Sequence, residues 1–230
     1  MDPVTQVKVI IRQNQRWDNA KFLTKPTFLN QNAKTIRYEP FDGSSTFRAG
    51  NEFRFVDLRF IRATGVNISE IKVEETAVLA KAPIETPRPG GVYSQYLDLN
   101  GQYIVFTNDR PGGNPEVESE YIYTTFRFQA DPGREIRMLG SVTAWGKSPE
   151  STLTYDPKSG TYTTSILMKQ GWYDYQYGFV TDEGFDTESI EGSHFETENE
   201  YEVFVYYRAL GSRYDQLVGY VNLHPNRRRL

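Results

Sequence analysis

Ile136-Arg137-Met138-Leu139 running on to Trp145, Leu153-Thr154-Tyr155, the turn Asp156-Pro157-Lys158-Ser159-Gly160, the run from Tyr162 to Leu167, and the ladder Gly171-Trp172-Tyr173-Asp174-Tyr175-Gln176-Tyr177 form the stretch that decides the fold. Apolar and polar residues alternate here with period two, and turn formers interrupt them at short intervals. That is the pattern of short antiparallel strands, each with one buried face. Nothing in the stretch supplies a nucleophile, a base and an orienting group together. It predicts a surface that binds rather than one that reacts.

Outward from it, the pattern predicts strands over 121–128, 136–142, 153–155, 162–167, 172–180, 201–208 and 216–222. In the sixth, Tyr201, Val203, Val205 and Tyr207 share a face. Seven short strands at this spacing predict an immunoglobulin-like sandwich. Upstream, strands are predicted over 4–13, 35–41, 52–61, 70–79 and 95–106, with a long polar segment at 14–34 where partner contacts are expected. Within 52–61, Val56, Leu58 and Phe60 take one face and Asp57 and Arg59 the other. Phe53 and Phe55 fall on the Asp57 parity, implying a bulge or burial on both faces.

Asn108-Asp109-Arg110-Pro111-Gly112-Gly113-Asn114-Pro115 is the clearest interruption. A ladder does not run through such a segment, and segments like it commonly join domains. The expectation is therefore all-β, as two consecutive immunoglobulin-like antiparallel β-sandwiches. A first sandwich spans 1–110, a Pro/Gly linker 111–117, a second sandwich 118–225, and a tail 226–230 with Arg227-Arg228-Arg229. No amphipathic helix is evident.

Composition narrows the function classes. Aromatics reach 14% through 16 Tyr and 14 Phe, which suits pleated, half-buried surfaces. A net charge of -4 argues against nucleic acid as a partner. With no cysteine there are no disulfides and no thiol catalysis. No apolar run reaches the roughly 18 residues of a spanning helix, so no direct membrane insertion by a helix is expected. The first residues enter a strand without a charged and apolar leader, which points to a fragment of a longer secreted chain.

The run 181–200 carries Asp182, Glu183, Asp186, Glu188, Glu191, Glu196, Glu198 and Glu200 without Lys or Arg, and reads as a solvated connection. His194 lies in it, but one histidine among irregularly spaced carboxylates predicts no metal site. No serine has a nucleophile-elbow context, and no carboxylate lies in a sequence context that would raise its pKa. The expectation is no catalytic residue, no metal and no cofactor.

Two resemblances add to this reading. Trp145, the loop to Leu153, Tyr155-Asp156 followed by Gly160 and Tyr162, and Gly171-Trp172-Tyr173-Asp174-Tyr175 resemble starch- and glycogen-binding modules. On that resemblance Trp145 and Trp172 would be sugar-stacking platforms for a periplasmic or surface glycan. The loop Thr181-Asp182-Glu183-Gly184-Phe185 lacks the second exposed Trp such modules carry. The plain reading of Trp145 is packing on Tyr173 or Tyr175.

The second resemblance covers nearly the whole chain. Val9-Ile10-Ile11-Arg12-Gln13-Asn14 with Arg16-Trp17-Asp18-Asn19-Ala20, Gly50-Asn51-Glu52-Phe53-Arg54 with Asp57-Leu58-Arg59, and Ile190-Glu191-Gly192-Ser193-His194-Phe195 running through Tyr206-Tyr207-Arg208 to Arg213-Tyr214-Asp215-Gln216-Leu217-Val218-Gly219-Tyr220 resemble the plug-protein family of the type IX secretion system. The resemblance implies a non-enzymatic periplasmic protein, peripheral to the outer membrane and monomeric when isolated. It would seal the periplasmic mouth of a translocon barrel protein, its partner. Arg16, Trp17, Arg54 and Arg59 are the expected protein-contact residues. Each has an internal reading too: Arg59 paired with Asp57 or Glu52, and Trp17 laid over its own domain's core.

Overall fold

The computed structural model describes residues 3–109 and 112–226, and the side chains from residue 5 onward within the first segment. Arg110 and Pro111 of the Pro/Gly segment, and the tail residues Arg227-Arg228-Arg229 with Leu230, lie outside the described residues. Strand is the main regular structure, as the period-two pattern demands, and among the described residues the three α-helices are single turns of four residues: α1 (Pro3–Gln6), α2 (Pro115–Glu118) and α3 (Glu188–Glu191). All-β is therefore the fold class.

The chain divides into two compact units, residues 1–49 with 196–230, and residues 50–195. The first holds β1 (Val7–Gln13), β2 (Lys21–Leu23), β3 (Phe28–Asn30) and β4 (Thr35–Arg37), then β15 (Tyr201–Tyr207) and β16 (Gln216–Leu223). β16-β15-β1-β2 form one antiparallel sheet, and β3 and β4 a separate two-stranded ribbon; β2 and β3 lie inside the segment 14–34 expected to be loop, and β4 begins the strand expected at 35–41. β1 and β15 pair in register from Val7↔Tyr207 to Gln13↔Tyr201, so the chain's beginning and end share one sheet.

The second unit holds β5 (Arg54–Asp57), β6 (Glu70–Val73), β7 (Val78–Glu85), β8 (Tyr103–Val105), β9 (Tyr121–Phe128), β10 (Ile136–Leu139), β11 (Thr152–Asp156), β12 (Thr161–Lys169), β13 (Gly171–Thr181) and β14 (Gly184–Asp186). Their order is β14-β13-β10-β11-β12-β9-β7-β6, with β5 and β8 also on β13. This sheet curls as a half-barrel. Its core holds Val56, Leu58, Ile122, Phe126, Phe128, Ile136, Met138, Tyr175 and Tyr177, all at most 1% exposed.

This partition corrects the expected break at 111–117. β7 and β9, on either side of that segment, pair in parallel from Val78↔Ile122 to Glu85↔Phe128. Parallel neighbours need a crossover of a dozen or more residues. The Gly- and Pro-rich residues belong to that crossover, because a long connection inside a unit and a linker between units use the same residue types. β5 and β8, from the upstream half, complete the sheet on β13.

Candidate protein-contact surface

β13 organises the second unit because four strands pair with it: β5, β8, β10 and β14. Its residues from Tyr173 to Phe179 are buried on both faces. Phe126 meets Tyr175 edge-on at 5.0 Å and Phe128 meets Tyr177 at 4.5 Å. The hydroxyls of Tyr175 and Tyr177 both donate to Glu85 Oε2, at 3.1 and 2.8 Å. Burial, and then the Glu85 charge, push both phenols well above their ordinary pKa, so they remain donors.

Arg54 lies in this interior. Its guanidinium donates through Nε to both oxygens of Glu191 at 3.0 Å and through Nη1 to Glu85 at 3.2 Å, and it sits 5.7 and 5.5 Å from the Phe128 and Tyr177 ring centres. Burial alone would loosen its proton, but Glu191 and Glu85 outweigh that and raise its pKa. Arg88 closes the group, its Nε 2.7 Å from Glu191 Oε2. Glu191, 1% exposed, also accepts from Tyr177 N–H at 2.8 Å. Two cations thus neutralise two carboxylates. The expected contact residue Arg54 is a core ion, and the 181–200 segment is not merely solvated: α3 delivers Glu191 into the core.

Removing one donor to Glu85 is a milder change. Tyr177→Phe should cost about 1–3 kcal/mol, since Glu85 stays half-buried with fewer donors; urea unfolding checks it.

The other face of β5 carries aromatics. Phe55 stacks on Trp172 at 4.1 Å and 13°, and Phe53 meets Trp145 at 6.0 Å and 75°. Arg59 holds Asp57 with two bonds of 2.8 and 2.7 Å and lies 5.4 Å from the Trp172 ring centre, so its partner is Asp57 rather than Glu52. Trp145 packs on Phe53. Ala144 and Trp145 are both left-handed (φ 49° and 57°), unusual for side chains of any bulk. Trp145 N–H donates to Gly140 O at 2.8 Å, and its ring lies so close over Gly101 that a Cβ there would fall 2.4 Å from Cη2. The two tryptophans named as sugar platforms are thus each held in internal ring contacts.

Two carboxylates under this row were not anticipated. Burial pushes Asp98 up to about 8, against the donors Phe53 N–H and Asn100 N–H and with help from the charges of Asp174 and Glu52. Burial pushes Asp174 up to about 6, opposed by Leu99 N–H and Trp172 Nε1–H. No local pattern marks them. Their setting is made by the 93–101 loop, where Tyr93 bonds Glu52 and Tyr96 bonds the Phe53 carbonyl. Among the described residues no group of three His, Asp or Glu is placed to hold a metal ion. His194 lies 5.6 Å from the Tyr93 ring instead.

In the first unit, Arg16 pairs with Asp18 at 2.7 Å. Trp17, 52% exposed, stacks on Phe204 at 5.5 Å with the Arg12 guanidinium 4.6 Å from its centre. Arg12 in turn bonds Glu202 at 2.6 Å. Trp17 both covers its own sheet and offers a ring to solvent.

The exposed aromatic area of the second unit lies elsewhere than expected. Tyr121, Tyr123 and Leu167 stand on the outer face of β9 and β12, where Tyr123 is opposite Leu167 and Tyr121 opposite Lys169, whose ammonium lies 5.2 Å from the Tyr121 ring centre. Tyr103, Ile104 and Phe106 are exposed along β8, with Tyr103 stacked on Tyr173 at 5.1 Å. Tyr173 donates to the Lys169 carbonyl, which ties the two groups together. Tyr103, Tyr121, Tyr123 and Leu167 suit a macromolecular interface, whereas Ile104 alternates to the other face of β8.

No family model and no curated protein matches the chain. Among solved structures, the crystal structure at 2.30 Å resolution of a hypothetical protein from Parabacteroides merdae ATCC 43184 is similar over 97% of this chain, with a TM-score of 0.85 and 27% identity. This chain spans 56% of that one, little more than half its length.

Proposed function

We propose that this chain is a non-enzymatic gating subunit that seals the periplasmic mouth of the outer-membrane type IX translocon by surface contact with the barrel protein. The observation that carries this reading is the exposed side chains Tyr103, Tyr121, Tyr123 and Leu167 on the second unit, whose sheet has a buried core. Aromatic anchors on a preformed surface dominate the energetics of protein contacts. The segments that resemble the plug family support it by a different route. Arg12 bonds Glu202 and Asn14 bonds Asn199 within the first unit, and Arg54 bonds Glu191 within the second, so these segments hold each unit's own fold. The finer fold assignment, immunoglobulin-like character, is proposed for the antiparallel run β9 to β13.

Capture from solubilised outer membranes with this chain as bait should recover a very large barrel protein. Tyr123→Glu with Leu167→Glu should abolish recovery while leaving the urea midpoint unchanged, because both side chains are exposed. Recovery of soluble proteins alone sinks the reading. Titration with maltooligosaccharides, followed by tryptophan fluorescence, should give no saturable change. A saturable change would instead favour a carbohydrate-binding module acting through Trp145 and Trp172.

A further inference from the structure

Between β7 and β8, residues 86–102 form no helix or strand, and none of residues 90–100 is buried. Val92 and Leu97 stand in solvent. Lifting this segment would uncover little apolar surface, so hydrophobic burial does little to hold it down. Polar groups and ring contacts hold it instead. Tyr93 donates to the Glu52 carboxylate, and Tyr96 to the Phe53 carbonyl just before β5. Asp98 accepts Phe53 N–H at 2.6 Å, and Asp174 of β13 accepts Leu99 N–H. The Tyr96 ring lies 6.0 Å from Phe55, and the Tyr93 ring 5.6 Å from His194. Glycines flank the segment. Gly90-Gly91 stands at one end and Asn100-Gly101 at the other, in a turn closed by Gln102 N–H on Leu99 O at 3.0 Å. Arg88, beside the first pair, is fixed to buried Glu191 at 2.7 Å, so a movement would stop there.

We propose that residues 90–100 are a strap that lifts from the start of β5 when Asp98 and Asp174 ionise, while the sheet beneath it stays folded. Negative charge is crowded where the strap is tied. Burial holds the Asp98 proton to about 8, and the charges of Asp174 from β13 and Glu52 from the start of β5 add to it. Asp174 is held at about 6, again by burial. From the strap itself Tyr93 and Tyr96 face the same place as hydroxyl donors. Arg88 reaches Tyr96 Oη at 3.2 Å with its charge matched by Glu191, and His194 lies beside Tyr93. Released into water, both carboxyls would ionise near about 4. The closed strap therefore binds these protons more tightly than the open one. Each pH unit from about 4 up to the closed-state value favours opening by up to about tenfold per group. Opening gives the carboxylates to water and frees the Phe53 amide and carbonyl. The device lies wholly within the second unit and does not rest on the secretion reading.

The chain has no cysteine, so Leu97→Cys takes a single spin label at an exposed site of the strap. The ratio of mobile to constrained label should rise at least about tenfold from pH 6 to pH 8, and reverse on return. With Asp98→Asn added, the label should stay constrained through pH 8, because an amide does not ionise there. Glu52→Gln, which removes a neighbouring charge and keeps an acceptor for Tyr93, should shrink the rise without touching the strap's own residues. A label at Leu167→Cys, exposed on β12, should keep one lineshape throughout. A Leu97 label with the same spectrum at pH 6 and pH 8 overturns the proposal. A rise that both Asp98→Asn and Glu52→Gln leave intact overturns it too. So does a Leu167 label that changes in step with the strap, since the whole unit would then be unfolding.

Discussion

Glu191→Gln is expected to lower the free energy of unfolding by about 3–5 kcal/mol, the cost of leaving a buried charge without its counter-ion. Glu191 is 1% exposed and binds Arg54, Arg88 and the Tyr177 amide, so solvent does not replace what is lost. Two guanidiniums would then share the single charge of Glu85. In urea the midpoint should fall by at least about 1 M, given usual slopes of roughly 1–3 kcal/mol per M. A double-mutant cycle with Arg54→Met separates the ion pair from general disruption. The double variant should lose less than the two single losses added together, with a coupling of about 0.5–3 kcal/mol. A single variant within about 0.5 kcal/mol of the parent would show that the pair does not organise this core.

Most strands of residues 121–223 were legible because a β-type run lies between turns; β14 was not, since it lies in the run read as a solvated connection. β9 begins and ends where the alternation does, and β12 and β13 extend the expected runs by only one to three residues. Upstream the signal fades for a physical reason. β5 and β8 are four and three residues long and exist because β13 offers them an edge, which is a tertiary cause invisible to a local pattern. The residues expected at 70–79 are the hairpin β6–β7, turning between Val73 and Val78. The crossover between β7 and β9 was read as a linker because composition does not say what lies beyond a loop.

Site residues were legible in proportion to how local their partners are. Arg59 finds Asp57 two residues away, and parity along one strand already suggested it. Arg54 finds Glu191 at a sequence separation of 137, inside an acidic run that otherwise reads as solvated surface. Trp172 was marked as an aromatic of interest, yet Phe55, which decides whether its ring is open to a ligand, comes from a strand in the other half of the chain. Chain separation, rather than residue chemistry, set the limit.

Stability should also fall as pH rises from about 4 to 8, and Asp98 with Asp174 should account for the fall. Burial holds both folded-state pKa values above the ordinary 3.8, at about 8 and about 6. A raised value means that the folded chain binds the proton more tightly than the unfolded chain. The stabilisation is therefore complete below about pH 4, is lost for Asp174 as pH passes about 6, and for Asp98 as it passes about 8. In the alkaline range two carboxylates with Glu52 nearby must be charged in one partly buried place, and the Leu99 and Phe53 amides and Trp172 Nε1–H offset that only in part. Asp98→Asn keeps an acceptor for the Phe53 amide and removes the titration, so its urea midpoint should stay level where that of the parent declines. Asp174→Asn should flatten the lower half of the same window. The difference between parent and variant profiles isolates these two groups from the rest of the chain. Parallel profiles for all three proteins would mean that the pair is solvated and titrates as ordinary surface acids.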